Sequence, residues 1–311
     1  MGPNKHDWGP RKTTVMLPME DGVKLHTEIF FPVAKRNLED GKYAAIVDRS
    51  PYGYCDMEWI TDIFLPFGFV AVGQDMRGTE LSEGNFSMWE SDTADSASLG
   101  DWIVKQPWSN GEIYTFGASA DGIGSLQTPA AHRDWLKGQY IAWAPSSMYE
   151  ILYPGGTYKQ ETAEDWLKGL TMPNPDHVYS NIETCHEHET NDAFWQVIEM
   201  SERNGKFADV KTPSAFWGGW YDVFITGTLT AFDGYNRLSD PSVHGQSVIT
   251  IDPCGHCLEA QDFFTENVVM GRTAIMIGQL FELYGVHDVI RGGIKNVTYY
   301  VMSSNDDAGK E

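Results

Sequence analysis

The sequence predicts an α/β fold with a doubly wound, mostly parallel sheet. The first observation is a set of short, continuously apolar runs, which are typical of strands buried on both faces of a parallel sheet. These runs are 43–47 and 69–73, and 113–116 and 139–143 are further predicted strands. The second observation is a segment with helical spacing among them, 92–106, which stops at Pro107. Strands that alternate with helices in a chain of 311 residues indicate one large α/β domain or two smaller ones.

The remaining elements follow in chain order. Residues 13–19 and 23–31 are apolar-rich runs joined by Glu20-Asp21-Gly22, which predicts a β-hairpin. The later predicted elements are a strand at 214–217, a helix near 224–238, a strand at 247–251, a long helix around 263–284 and a strand at 297–302. This alternation keeps the whole chain in the α/β class.

Residues 145–211 differ from the core-like segments on either side. They are aromatic, acidic and poor in strands, and an insertion of this kind is where a helical cap would cover a pocket. We therefore divide the chain into a first core segment 1–144, a helical cap 145–211, a second core segment 212–292 and a C-terminal segment 293–311.

A strand–turn–helix pattern surrounds Ser119. The apolar run 113–116 ends in Gly117-Ala118-Ser119-Ala120-Asp121-Gly122, and a helix-compatible segment follows. This is the layout of the nucleophile elbow of the α/β-hydrolase fold, in which a tight turn of small residues presents a serine. The turn also aims the main-chain N–H of Ala120 and the helix start at the reacting oxygen. We predict Ser119 as nucleophile; the alternative is a serine that only caps a helix.

Two later strands are followed by residues that suit the other members of a serine triad. On this fold the order is serine, acid, histidine, each beyond the end of a core strand. Asp222 follows the strand at 214–217 and His256 follows the strand at 247–251, so we predict Asp222 as the acid and His256 as the base. Asp252 is the competing acid, but it lies only four residues before His256 on the same loop, where an acid is hard to place opposite the imidazole. One alternative is that Asp222 only caps the next helix; if it caps the helix and also orients the histidine, we expect the two tasks to use different oxygens. The other alternative is that His256 is a loop residue hydrogen-bonded in a turn.

Tyr52 lies in the segment Arg49-Ser50-Pro51-Tyr52-Gly53, after an early strand. At this place the fold supplies its second oxyanion donor, and the Tyr52 hydroxyl could take that role. The ring could equally pack beneath the cap as a structural tyrosine. The residues alone leave the two interpretations open.

The charge and the N-terminal residues limit partners and location. The 44 acidic and 22 basic residues give a formal charge of −22, which disfavours nucleic acid and anionic membrane as partners. No apolar run has the length of a membrane span. The first residues lack an apolar signal region, so we expect a cytoplasmic protein, with secretion left open by a leader removed before residue 1.

Two segments combine cysteine, histidine and acidic residues. Residues 185–189 read Cys-His-Glu-His-Glu, and the second segment holds Asp252, Cys254, His256 and Cys257. The first lacks the paired clusters of structural zinc sites, and the second lacks the helix start of a thioredoxin-like pair. We therefore expect no metal and no cofactor, with small packed thiols at 254 and 257.

Several short motifs occur in order over nearly the whole chain. They are Pro18-Met19-Glu20-Asp21-Gly22-Val23, Arg49-Ser50-Pro51-Tyr52, Gln74-Asp75-Met76-Arg77-Gly78, Ser82-Glu83-Gly84-Asn85-Phe86, Asp101-Trp102, Gln106-Pro107-Trp108-Ser109-Asn110-Gly111, Gly219-Trp220-Tyr221-Asp222 and Gly255-His256. Together they resemble the Xaa-Pro dipeptidyl-peptidase-like serine hydrolases, in particular the cocaine-esterase branch (CocE/NonD). The resemblance implies a triad, an oxyanion hole formed by a hydroxyl and an amide, a helical cap and a C-terminal jelly-roll domain. The implied residues are Ser119, Asp222 and His256 for the triad, and Tyr52 and Ala120 for the oxyanion hole.

The chain departs from this family in three places. A tyrosine usually follows the nucleophile, whereas Ala120 stands here and would widen the pocket. Cys254 replaces a tryptophan that is common two residues before the histidine. The jelly roll is expected to be largely missing, because the run 298–302 looks like only its first strand. Either the sequence is a fragment or this branch of the family has shed the domain. Loss of a sandwich that covers the core would expose apolar surface, so a homo-oligomer is among the expected partners.

These observations predict a serine hydrolase that forms an acyl-enzyme on Ser119. The expected substrate is a small-molecule carboxylic ester, or an amide or short peptide. The alternative is a dipeptidyl-peptidase or an α-amino-acid ester hydrolase, which would bind a substrate ammonium through cap carboxylates. Candidates for that role are Glu161, Glu164, Asp165 and Asp192. An alternative of another class is a catalytically inactive hydrolase-like binding protein.

Overall fold

A nine-stranded sheet forms the centre of the described chain. The structure is a computed structural model that describes residues 12–32, 42–53, 57–258 and 296–301. The strands are Lys12–Pro18 (β1), Lys24–Phe30 (β2), Tyr43–Ser50 (β3), Val70–Asp75 (β4), Ser109–Ala118 (β5), Leu136–Ala142 (β6), Ser214–Gly219 (β7), Val248–Asp252 (β8) and Val297–Tyr299 (β9). Their order across the sheet is β1-β2-β4-β3-β5-β6-β7-β8-β9. The pairs β1–β2 and β2–β4 are antiparallel, and the other neighbouring pairs are parallel.

Alternate residues of the central strands pack against two different helices. Ile46 of β3 lies in one apolar cluster with α1 (Met57–Phe64), whereas Ala45 and Val47 lie in another with α2 (Asp92–Ile103). Because successive side chains of a strand point to opposite faces of the sheet, the two helices cover opposite faces. The sheet is therefore doubly wound, which confirms the predicted fold class and explains the continuously apolar runs.

The predicted hairpin is formed by β1 and β2, with Lys12 opposite Phe30 and Pro18 opposite Lys24. Gly22 in its turn has a φ of +88°, a left-handed conformation that glycine adopts without steric penalty. The hairpin joins the parallel part of the sheet through the antiparallel pairing of β2 with β4.

The chain between β6 and β7 is mainly helical. The remaining helices are α3 (Ala120–Gln127), α4 (Met148–Leu152), α5 (Trp166–Gly169), α6 (Asp176–Glu187), α7 (Ala193–Ile198) and α8 (Ile225–Arg237), with a π-helical turn at Glu161–Asp165. Of these, α4 to α7 form the cap. Leu167 and Trp195 of the cap share an apolar cluster with Ile123 of α3. A helical cap is thus packed on the core, while the domain boundaries at 144, 211 and 292 stay predictions.

The last described strand extends the central sheet. β9 runs parallel to β8, with Ile249 opposite Val297 and Ile251 opposite Tyr299. The sequence assigned the segment 293–311 to the start of a truncated β-sandwich or to a tail, and that assignment stays a prediction. Within it, Val297–Tyr299 pairs with the central sheet. A short apolar run does not reveal its pairing partner, which here lies nearly fifty residues earlier.

The predicted long helix at 263–284 lies outside the described residues. No described helix is long and apolar enough to cross a membrane.

Candidate active site

Ser119 lies at a sharp turn between β5 and α3. Its φ of 56° and ψ of −122° fall outside the helical and extended regions, which is a strained backbone for a non-glycine residue. The turn requires glycine at position 117, because a Cβ there would come within 2.4 Å of the Asp121 carbonyl oxygen. The Ser119 N–H donates to the Ala142 carbonyl at 2.9 Å, which fixes the turn to the end of β6. The chain therefore has the elbow geometry that the sequence predicts.

The His256 imidazole faces the Ser119 hydroxyl. Its Nε2 lies 2.8 Å from Ser119 Oγ, and its Nδ1 lies 2.9 Å from Asp222 Oδ1. A carboxylate can only accept, so Nδ1 carries the proton and Nε2 is left to accept from the serine hydroxyl. Side chains from three loops thus form one continuous chain of hydrogen bonds that runs from Ser119 through His256 to Asp222.

Asp222 is buried behind the histidine ring, with 4% of its surface exposed. The loop can approach closely because residue 219 is glycine; a Cβ there would lie 2.2 Å from the Cys254 carbonyl oxygen. Oδ1 of Asp222 accepts from His256 Nδ1 and also from the Phe224 N–H at 3.1 Å. The expectation that these two tasks need different oxygens is therefore wrong, because a single carboxylate oxygen has two lone pairs.

Asp252, the competing acid, bonds other groups. Its Oδ2 accepts from Trp217 Nε1 at 2.7 Å, and its Oδ1 accepts from the Cys254 N–H at 2.8 Å. These bonds hold the loop that leads to His256. The placement of the two carboxylates supports the preference for Asp222.

The surroundings of His256 shift its pKa in two directions. Burial lowers the pKa of the imidazole, whereas the hydrogen bond to Asp222, the neighbouring Cys257 and the charge of Asp222 raise it, and the net shift is upward from 6.5. The Phe224 ring meets the imidazole edge-on, with 4.8 Å between ring centroids. A raised pKa makes the imidazole a stronger proton acceptor.

The Tyr52 hydroxyl contacts the cap. Trp166 Nε1 donates to the Tyr52 hydroxyl oxygen at 2.6 Å. An indole N–H can only donate, so the tyrosine oxygen accepts and its own proton remains for another acceptor. Burial raises the pKa of Tyr52 to about 12, although hydrogen bonding with Trp166 and Ser119 acts in the opposite direction. The hydroxyl is therefore protonated at neutral pH and can donate, and its hydrogen bond with Trp166 shows that it does more than pack.

An apolar cavity of about 270 Å³ lies beside Ser119 and His256. Core and cap both contribute to its walls, and Ala120, the first residue of α3, is among them. The N–H groups of a first helical turn have no partner within the helix, so the Ala120 amide is the second candidate oxyanion donor. No Asp, Glu, Lys or Arg is among the described residues that line this cavity. Apart from the two tryptophan N–H groups, its polar side chains are those of Ser119, His256 and Thr162.

The cap carboxylates considered for binding a substrate ammonium do not line the cavity. They are Glu161, Glu164, Asp165 and Asp192. Glu164 lies 3.1 Å from Lys168 Nζ, and Asp192 lies 2.7 Å from His188 Nδ1. The other two are exposed at the surface.

Within the part of the chain that the structure describes, no group of three His, Cys, Asp or Glu side chains could hold a metal ion. Cys254 is buried and Cys257 is exposed, and no disulfide joins the two. The packed-thiol interpretation therefore holds for Cys254 and is wrong for Cys257.

A comparison with known families decides the affiliation of the chain. The sequence model of the X-Pro dipeptidyl-peptidase (S15) family matches residues 21–178, just over half of the chain. The chain belongs to the S15 family. The resemblance inferred from the motifs is thereby confirmed, and this S15 member stands among serine hydrolases of the esterase or dipeptidyl-peptidase-like type.

Curated and solved relatives agree with this family. The S15 member is 28% identical over 268 residues to the cocaine esterase of Rhodococcus sp. (strain MB1 Bresler), a match that covers 71% of this chain and 45% of that protein. It shares its fold with an aminopeptidase from a marine sediment Thaumarchaeota archaeon, at a TM-score of 0.74 and 19% identity, over 96% of this chain and 58% of that one. An α-amino acid ester hydrolase gives a TM-score of 0.70 at 20% identity, over 96% of this chain and 60% of that one. The chain thus spans about half the length of these three relatives.

Two residues at the site were not singled out from the sequence. Trp89 and Trp166 line the cavity, and their indole nitrogens contact residues 31 and 114 positions away in the chain. Both tryptophans lie outside strands, in segments with no recognisable local motif. The sequence therefore carried no signal that would relate either one to the oxyanion donors.

Proposed function

We propose that this S15 member is a carboxylesterase that forms an acyl-enzyme on Ser119. The observation that carries the proposal is the hydrogen-bonded chain from Ser119 Oγ through His256 to Asp222, placed beside an apolar cavity. A hydroxyl with a base at 2.8 Å and a carboxylate behind that base is the arrangement that activates a serine.

Acylation follows from this geometry. His256 Nε2 takes the Ser119 proton as Oγ attacks the ester carbonyl carbon, and Asp222 stabilises the imidazolium that forms. When the tetrahedral intermediate collapses, His256 returns the proton to the leaving alcohol and the acyl group stays on Oγ. Water then attacks the acyl-enzyme by the same route, which releases the carboxylic acid and restores the serine.

The negative charge of the tetrahedral oxygen needs donors that are already in place. The Tyr52 hydroxyl, whose oxygen is held by Trp166, and the main-chain N–H of Ala120 are the donors we assign. One donor of this kind contributes a factor of about 10² to 10³ to kcat.

The cavity favours an uncharged, apolar acyl group. Its lining lacks a charged side chain, and its aromatic walls include Trp89, Trp166 and Phe224. A cavity of about 270 Å³ has room for an aromatic or branched acyl group in addition to an acetyl group. The name of the Rhodococcus relative, cocaine esterase, supports an ester as substrate.

The second candidate is an enzyme that requires a free α-amino group. The family name and the names of the aminopeptidase and α-amino acid ester hydrolase neighbours favour it. Recognition of an ammonium group in a desolvated pocket needs a carboxylate or several acceptors to pair with it. The described cavity lining offers no such carboxylate, and this favours the plain ester.

A matched substrate series tests the proposal. We would compare p-nitrophenyl acetate, butyrate and benzoate with an α-amino ester and an Xaa-Pro p-nitroanilide, using wild type and Ser119→Ala. We expect hydrolysis of the plain esters, a kcat/KM at least tenfold lower for the amino compounds, and loss of turnover in Ser119→Ala. Preference for the amino compounds would favour the second candidate. Equal rates in wild type and variant would contradict the proposed nucleophile and leave the inactive binding protein as the better interpretation.

A further inference from the structure

Two tryptophans, one from the core and one from the cap, stack beside the proposed oxyanion donors. The rings of Trp89 and Trp166 have centroids 5.4 Å apart and an interplanar angle of 11°. Phe86 meets both rings edge-on, at 5.9 Å from Trp89 and 6.1 Å from Trp166. The pair therefore has defined neighbours on the core side and does not depend on a substrate for its orientation.

Each indole nitrogen of the pair donates to a residue that supplies an oxyanion donor. Trp166 Nε1 donates to the Tyr52 hydroxyl at 2.6 Å, and Trp89 Nε1 donates to the Ala120 carbonyl at 3.0 Å. These bonds bridge 114 and 31 positions of sequence. One stacked pair thus contacts both proposed donors of the oxyanion hole.

The bond to Tyr52 determines where the phenolic proton can point. A free hydroxyl rotates about its C–O bond and donates to whichever acceptor is nearest. Once its oxygen accepts from Trp166, the proton must point away from the indole. The accepted bond also draws electron density from the oxygen and so strengthens its O–H as a donor. The hydroxyl is thereby oriented before an oxyanion forms, which is the condition for effective stabilisation.

The bond to Ala120 acts on the other donor. Ala120 follows the strained nucleophile, and a bond to its carbonyl restrains the first turn of α3, in which its N–H lies. Trp89 itself has a φ of +67°, and the preceding Met88 has a φ of +51°. Two successive non-glycine residues in the left-handed region cost free energy that the surrounding structure must supply. Backbone strain of this kind is often found at functional sites, and here it places the Trp89 indole against the Ala120 carbonyl.

We propose that Trp89 and Trp166 are positioning residues of the oxyanion hole, and that they act through their indole N–H groups on Ala120 and Tyr52. This inference rests on the proposed esterase function. Since Trp166 belongs to the cap, the Tyr52 donor reaches its working orientation only when the cap is seated on the core. The cap thus contributes to transition-state stabilisation as well as to the cavity wall.

The test is a double-mutant cycle measured with p-nitrophenyl acetate, whose acyl group is too small to depend on the cavity walls. Trp166→Phe keeps an aromatic ring and removes the N–H, and we expect kcat to fall about tenfold with little change in KM, the loss expected for one hydrogen bond. In a Tyr52→Phe background the same substitution should have no further effect on kcat. Trp89→Phe should lower kcat by a similar factor in both backgrounds, because it acts through Ala120.

Trp195→Phe is the matched control. It removes a buried indole N–H bond to the His188 carbonyl, at 2.7 Å within the cap, and should leave kcat unchanged even if it lowers the melting temperature. Wild-type kcat in Trp166→Phe, or a further tenfold loss in the Tyr52→Phe background, would overturn the inference. If Trp89→Phe does not fold, the Trp166 arm decides, because Trp166 is only half-buried. Turnover that survives in Ser119→Ala refutes the proposed function instead.

Discussion

Asp222 Oδ1 lies 2.9 Å from His256 Nδ1, and the same oxygen accepts the Phe224 N–H. One atom therefore orients the imidazole and fixes the backbone turn that leads into α8. This dual use ties the position of His256 to the end of β7, where the loop between Gly219 and Asp222 begins.

Replacement of Asp222 by asparagine tests that relationship. The amide is nearly isosteric and can still accept from Phe224, but it carries no charge to stabilise the imidazolium and can hold the ring in the wrong tautomer. We expect Asp222→Asn to lower kcat by a factor of about 10³ to 10⁴ while the fold persists. Ester turnover and circular dichroism measure the two effects.

Asp252→Asn is the control for this variant. Asp252 bonds Trp217 and the Cys254 N–H, so its replacement should lower stability and reduce kcat less than tenfold. A loss as large as that of Asp222→Asn would contradict the assignment of Asp222.

Tyr52→Phe removes one proposed oxyanion donor, together with the acceptor of the Trp166 N–H, and keeps the ring. Since the residue Tyr52 is 36% exposed and the ring is retained, we expect a small change in melting temperature. The expected fall in kcat is about 10²- to 10³-fold, with KM nearly unchanged, because the bond forms only in the transition state. Tyr221→Phe, at a 67% exposed neighbour of Asp222, should behave as wild type. Equal kcat in both variants would exclude Tyr52 from the oxyanion hole.

The pH dependence of kcat/KM reports the ionisation of His256. The imidazole must be neutral to accept the Ser119 proton, so activity is absent at low pH and rises as pH passes through the pKa of the folded enzyme. Burial lowers the pKa of His256, but Asp222 and Cys257 raise it by more. We therefore expect the midpoint of the increase in kcat/KM to lie above pH 6.5.

The pKa of Tyr52 and the variant Asp222→Asn give two further expectations for the pH profile of kcat/KM. The pKa of Tyr52, which burial raises to about 12, predicts no alkaline loss of the phenolic donor at ordinary assay pH. Asp222→Asn removes one of the two groups that raise the pKa of His256 and should move the midpoint to lower pH. A wild-type midpoint below 6.5, or no movement in the variant, would contradict this account.

Ala120→Tyr tests the width of the cavity. The Ala120 side chain is 2% exposed and lines the cavity, so a tyrosine there would occupy part of the space proposed for the acyl group. We expect kcat/KM for p-nitrophenyl benzoate to fall by a factor of about 10 to 200. The acetate ester serves as the internal control and should change only a few-fold. Equal losses for both esters would show that the substitution disturbs the catalytic groups and not the acyl site.

Local patterns in the sequence predicted the doubly wound sheet and the elbow. Continuous apolar runs report strands covered on both faces, and the small residues from Gly117 to Gly122 report a strand and a helix that meet closely. The same patterns did not reveal that Val297–Tyr299 pairs with β8, because a three-residue strand looks alike in any sheet.

For the candidate site, the sequence could predict only which residues follow the ends of parallel strands and in which order they occur. Ser119, Asp222 and His256 each follow a strand of a parallel sheet, so their proximity could be expected. The roles assigned to them stay predictions. The contact between Trp166 and Tyr52 could not be predicted, since it depends on how the cap packs and on no motif near either residue.

Labelling with a fluorophosphonate probe tests the central claim most directly, because the reagent modifies only a serine that is activated as a nucleophile. Wild type, Ser119→Ala and His256→Ala would be treated at equal concentration, and the modified residue mapped by mass spectrometry of peptides. The account predicts one label per chain at Ser119, none in Ser119→Ala, and strongly slowed labelling in His256→Ala. Absence of labelling in folded wild type, or equal labelling of Ser119→Ala, would contradict it.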